Sequence, residues 1–93
     1  MATYRIIAWQ NIPAAVEVRD GAGQITLQPS ERFQSLIDSA AMQLGLHDND
    51  AYLEHWGAIE GERVGSAGDV GAAVVAELEE RFPEYITQVF RQA

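Results

Sequence analysis

Residues 4–18 read YRIIAWQNIPAAVEV, and the way this stretch folds decides the rest of the chain. It divides into two strands, Tyr4–Gln10 and Ala14–Arg19, joined by Asn11-Ile12-Pro13. Strand side chains alternate between faces. Tyr4, Ile6 and Ala8 therefore share one face of the first strand, and Arg5, Ile7 and Trp9 share the other. Both faces are largely apolar, as in a strand covered on both sides. The second strand is one-sided: Val16 and Val18 face one way, Ala15, Glu17 and Arg19 the other. Either a second layer covers Ile7 and Trp9, or these residues form a contact surface.

Working outward, Asp20-Gly21-Ala22-Gly23 is a turn with two glycines, leading into a third strand, Gln24–Gln28, that Pro29 ends. Ser30 is placed to cap a helix with its hydroxyl, and Glu31 stands where the helix dipole favours an acid. Phe33, Leu36, Ile37, Ala40, Ala41 and Leu44 recur at i, i+3, i+4, i+7 and make one apolar stripe. Gly45 stops this helix, with Leu46 positioned to pack back on it. A polar connection, His47–Asp50, precedes a short helix over about Ala51–Trp56. Part of Gly57–Val64 reads as a fourth, short strand broken by Gly61.

Ser66 and Asp69 have capping-box spacing before a helix that runs to about Phe82. Val70, Ala73, Val74, Leu78 and Phe82 are its expected inward residues, and Glu77, Glu79 and Glu80 its wet ones. Pro83 breaks the helix or starts a new turn. Glu84–Gln92 is helical again, with Tyr85, Ile86, Val89 and Phe90 on one side. The order β-β-β-α-(α)-(β)-α-α predicts one α+β domain, an antiparallel sheet of three to four strands packed with helices that reach over both sides of strand one.

Composition bounds the function. The chain has 93 residues, 47% of them hydrophobic and 22% charged, the proportions of an ordinary globular domain with a single core. Fourteen acidic residues against six basic ones leave a net charge of −8. All six basic residues are scattered arginines, which argues against nucleic acid and anionic membrane surfaces as partners. No cysteine is present, so disulfides and thiolate chemistry are excluded. The N-terminal residues lack a signal-peptide pattern and no apolar run reaches bilayer length, so a cytoplasmic location is expected.

Three chemistries have partial signatures. His47, Asp48, Asp50, Glu54 and His55 gather imidazoles and carboxylates. Zinc or manganese takes such ligands, so a metal-dependent enzyme built on His47, Asp50, Glu54 and His55 is one reading. The two histidines are not at i, i+4, and a calcium loop from Asp48 fails at Tyr52, Leu53 and Ile59. Gly61, Gly65, Gly68 and Gly71 precede a helix as phosphate loops do, but the spacing is foreign to those loops and no lysine follows. Ser30 and Ser66 are accounted for as caps, and no nucleophile elbow occurs. No catalytic, cofactor or metal residue is therefore assigned.

The chain resembles the small bacterial "virulence factor" domain family over about Tyr4 to Pro83. The likeness rests on the W-x-x-I-P-A turn at Trp9–Ala14, E-R-F-Q at Glu31–Gln34 and A-A-M at Ala40–Met42. The resemblance implies a domain found alone or joined to larger proteins, with no family active site to carry over. It also implies a place beside folate and corrinoid one-carbon enzymes, hence an accessory subunit of a methylenetetrahydrofolate reductase-like or methyl-transfer system. From the residues themselves we expect a non-catalytic protein-interaction domain, heteromeric or homodimeric. Its contact surface would be Arg5, Ile7, Trp9 and Arg19, with Trp56 nearby.

Overall fold

A computed structural model describes residues 1–45 and 53–92, with backbone alone for residues 44 and 90–92. Its elements are β1 (Ala2–Trp9), β2 (Ile12–Asp20), β3 (Gly23–Leu27), α1 (Glu31–Leu44), β4 (Trp56–Arg63), α2 (Ala67–Glu80) and α3 (Phe82–Gln92). The four strands form one sheet in the order β3-β2-β1-β4, every neighbouring pair antiparallel. This is the expected α+β arrangement, with β4 as a full fourth strand. Gly61 continues β4, and Trp56 begins it instead of closing a short helix. The expected helix start at Ala51 and the packing of Leu46 lie outside the described residues.

The β1–β2 connection is tighter than its sequence suggests. Gln10 and Asn11 both adopt positive φ, 49° and 70°, as a two-residue hairpin turn of the primed type requires. Ile12 and Pro13 therefore belong to β2. Proline is tolerated there because the pairing slips: Ile7 faces Ala15 while Ala8 faces Pro13, leaving Ala14 as the extra residue of a bulge.

The register sorts the sheet into two faces. Tyr4 pairs with Val18 and Gly61, and Ile6 with Val16 and Ile59, on the side that carries the helices. On that side α2 lies across β1, β2 and β3, α1 packs against β2, and α3 touches both helices. Gly71 permits the close approach of α2, because a Cβ there would stand 2.5 Å from Leu27 Cδ1 and 3.2 Å from Val18 Cγ2. It is buried and Ala73 exposed, so the inward stripe of α2 is Ala67, Val70, Gly71, Val74 and Leu78, shifted from the expected one.

The core joins Trp9, Ile12, Val16 and Val18 of the sheet to Phe33 and Ile37 of α1 and Val74 of α2. Phe33 meets Phe82 and Tyr85 edge-on, with centroids 4.9 and 5.9 Å apart. Burying a side chain of this size contributes about 1.5–3 kcal/mol each. α1 ends as expected at Gly45, which takes a left-handed conformation with φ 69°.

The opposite face differs from expectation. Thr3, Arg5, Arg19, Gln24, Thr26 and Glu60 are all exposed on it. Among the described residues, α1 and α2 pack on one side of the sheet. The second apolar face of β1 is accounted for by Ile7, which is half-buried, and by Trp9, which is fully buried at the hairpin end.

Candidate interaction surface

The uncovered face is built by two cross-strand ladders. Thr3 pairs with Arg19, Arg5 with Glu17 and Ile7 with Ala15 across β1–β2. Arg5 pairs with Glu60, Ile7 with Ala58 and Trp9 with Trp56 across β1–β4. Arg5 thus stands between two carboxylates, 3.8 Å from Glu17 Oε1 and 3.8 Å from Glu60 Oε1. Such exposed pairs are worth about 0–1 kcal/mol. Arg19 donates to Gln24 Oε1 at 2.9 Å. Thr3, Arg5, Glu17, Arg19, Gln24 and Glu60 line a shallow groove of about 280 Å³.

Four of the five residues expected at a contact surface are brought together here: Arg5, Ile7 and Arg19 on the face and half-buried Trp56 at its hairpin end. Trp9 is the correction. It is completely buried, belongs to the core cluster and lays its ring against His55, centroids 5.5 Å apart. A bulge and a tight turn bring Trp9 and Ile12 opposite each other as the closing pair of the hairpin, and both are withdrawn from solvent.

Of the expected metal residues, His47, Asp48 and Asp50 lie outside the described residues. Glu54 is exposed, while His55 is half-buried and its carbonyl accepts the Gln10 N–H at 2.9 Å. Among the described residues no group of three or more His, Cys, Asp or Glu is placed to hold a metal ion. The glycine-rich approach to α2 serves the fold. Ser66 Oγ accepts the Asp69 N–H at 3.2 Å, as the capping-box spacing predicts. Asp20 Oδ2 takes the Ala67 N–H at 2.8 Å, so a carboxylate of the chain itself occupies that helix start.

Three polar contacts escaped the sequence reading. Asp20 Oδ1 also accepts from Ala22 N (2.7 Å) and Gly23 N (3.0 Å), so one side chain ties the β2–β3 turn to α2. The Ala67 bond, then that of Ala22, holds its carboxyl below the ordinary aspartate value. Arg63 of β4 binds Glu77 of α2 through two hydrogen bonds, Nη2 lying 2.8 Å from Oε1, and its guanidinium sits 5.3 Å from the Tyr4 ring centroid. That pairing pushes Arg63 up and Glu77 down from their usual pKa values. Glu79, expected to face water, instead clamps the start of α1. The D-G pair in the turn was a legible signal for Asp20; nothing local in the sequence announces the other two.

Fold and surface together define a small α+β domain in which α1 and α2 stack on one sheet face and, among the described residues, Thr3, Arg5, Arg19 and Glu60 are exposed on the other. A match to the Virulence factor family covers residues 7–88, nearly the whole chain. The chain belongs to that family, as the resemblance at its hairpin and first helix implied. No curated protein and no solved structure matches it. Among the described residues no helix is long and apolar enough to cross a membrane.

Proposed function

We propose that this domain works without catalysis of its own, by binding a different protein chain against the open face of its sheet. Arg5, Ile7 and Arg19 carry the contact and Trp56 borders it. The observation that supports this is the position of Ile7. It is an apolar side chain, half-exposed beside Arg5 with Arg19 further along β2, on the sheet face that α1 and α2 leave uncovered among the described residues. Arginine and tryptophan are among the types enriched where interface energy concentrates. A net charge of −8 on every copy works against self-pairing and in favour of a heteromeric partner.

The test is capture and cross-linking with the whole chain, wild type against Arg5→Glu/Ile7→Asp and Arg19→Glu, each checked for folding by far-UV circular dichroism. Wild type should retain a partner that the folded face variants lose, with cross-links mapping to β1 and β2. Equal capture by all three, or cross-links confined to α1 and α2, would remove the open face from consideration.

A further inference from the structure

β4 is an outer strand of the sheet, and among the described residues no further strand pairs with it. Its phase is set by the Gln10 N–H to His55 carbonyl bond at the head of the β1–β4 ladder. In an antiparallel pair, hydrogen-bonded residues alternate with non-bonded ones. Following the register from Gln10–His55, the bonded pairs are Ala8–Gly57, Ile6–Ile59 and Tyr4–Gly61. The backbone N–H and C=O groups of Ala58, Glu60 and Glu62 consequently point away from β1, along the outer edge.

The side chains on that edge have a clear sorting. Glu60 and Glu62 are exposed on the open face. Ile59 lies on the helix side yet is 55% exposed. Beside it, a Cβ placed at Gly57 would meet nothing within 4 Å, so there is room for a neighbour's side chain. β3, the other outer strand, has five residues and is followed by Pro29; β4 has eight and contains no proline.

We propose that the β4 edge accepts an extended basic segment of a partner protein as a fifth strand. Alternate residues of that segment would be Lys or Arg, set against Glu60 and Glu62, and apolar, set against Ile59 and the space at Gly57. The proposal rests on the protein-binding reading above and names the partner's chemistry. Strand addition draws affinity from main-chain hydrogen bonds and specificity from alternate side chains. Acidic residues on an outer strand repel an acidic newcomer and attract a basic one. A second copy of this chain, itself at −8, is the disfavoured occupant.

The experiment uses the full chain and a soluble peptide of about nine residues alternating arginine and valine, with glutamate–valine and arginine–serine versions as controls. Amide exchange is followed by NMR. The arginine–valine peptide should slow exchange at Ala58, Glu60 and Glu62 by about tenfold or more, and binding should weaken as salt is raised. Ala58→Pro removes one outward donor while leaving the β1–β4 bonds intact, and should abolish the effect. Glu60→Lys/Glu62→Lys should transfer the preference to the glutamate–valine peptide, and Ile59→Lys should weaken arginine–valine binding.

No slowing at these amides, equal slowing by the glutamate–valine peptide, or slowing produced by protein concentration alone would overturn the proposal. The last would assign the edge to a second copy. A peptide that perturbs Arg5, Ile7 and Arg19 and ignores Ala58→Pro would overturn the edge while leaving the open-face reading in place. Slowing at the edge combined with unchanged capture by the face variants would have the opposite consequence.

Discussion

Glu79, near the end of α2, holds the residue that opens α1. Its Oε2 accepts the Ser30 backbone N–H at 2.7 Å, and its Oε1 accepts the Ser30 hydroxyl at 2.9 Å. Arg32 joins from the first turn of α1, with Nε at 3.1 Å and Nη2 at 2.8 Å from the same Oε1, and stacks 4.3 Å from the Phe82 centroid. Ser30 does stand at the N-cap, but its hydroxyl makes no cap to its own helix. The capping is done from another helix. The Ser30 amide is the largest cause, ahead of Arg32, that depresses the Glu79 carboxyl below the ordinary glutamate value.

A carboxyl whose folded pKa is depressed stabilises the fold above its unfolded pKa and loses that contribution as pH falls through the folded value. Glu79→Gln should therefore lower the thermal midpoint at pH 7. The gap from wild type should narrow once pH falls below the ordinary glutamate value of about 4.3, and close only below the depressed folded value, where Glu79 is protonated. Differential scanning calorimetry at pH 7, 5 and 3 measures this. A gap that is constant across pH would mean that the variant acts through shape and not through charge.

Asp20 supports a parallel expectation from the other end of α2. Asp20→Asn keeps an acceptor for the turn amides of Ala22 and Gly23 but puts an N–H group, or a weaker neutral oxygen, before the Ala67 N–H. Urea unfolding should show a lowered midpoint at pH 7 and a difference that shrinks as pH falls below the ordinary aspartate value toward the depressed folded one, where the ionised Asp20 of the wild type becomes protonated. With Glu77 depressed in the same direction by Arg63, the whole domain should lose stability as pH drops from about 4.5.

Trp9→Ala should cost about 3–5 kcal/mol, the range for emptying a large buried aromatic site. Arg5→Ala and Arg19→Ala, exposed on the open face, should each stay within about 0.5 kcal/mol of wild type. Urea denaturation followed by circular dichroism compares the three. A near-neutral Trp9→Ala would contradict its place in the core and return it to the contact surface.

These residues also mark what could be read from the chain directly. The stripe from Phe33 to Ala41, the stop at Gly45 and the cap at Ser66 are local features with local causes, and the structure reproduces them. The faces of β1 and β2 follow from simple alternation as far as Ile7. Beyond it, the bulge at Ala14 and the positive-φ pair Gln10-Asn11 remodel the hairpin end, and alternation no longer says what Trp9 does. Gly57–Val64 looked broken because a glycine in an isolated strand is a defect. In the sheet, Gly61 is where the Tyr4 ring lies. Glu79 on Ser30 and Arg63 on Glu77 join residues distant in sequence, and only the assembled layers bring them together.

The Tyr4–Gly61 contact yields a prediction with a built-in control. A Cβ added at residue 61 would come within 2.5 Å of Tyr4 Cζ and 2.9 Å of Tyr4 Cε1. The ring cannot yield without leaving the Arg63 guanidinium stacked on it. Gly61→Ala should thus be destabilising by about 1–3 kcal/mol, the usual range for overpacking. Once Tyr4→Ala has removed the ring, the same substitution meets no obstacle and replaces a flexible strand residue with a stiffer one. There it should be neutral or stabilising by about 0.5–1 kcal/mol. A double-mutant cycle from urea unfolding measures the coupling. Equal penalties in both backgrounds would mean that Gly61 is needed for its own backbone conformation and not for the space that Tyr4 occupies.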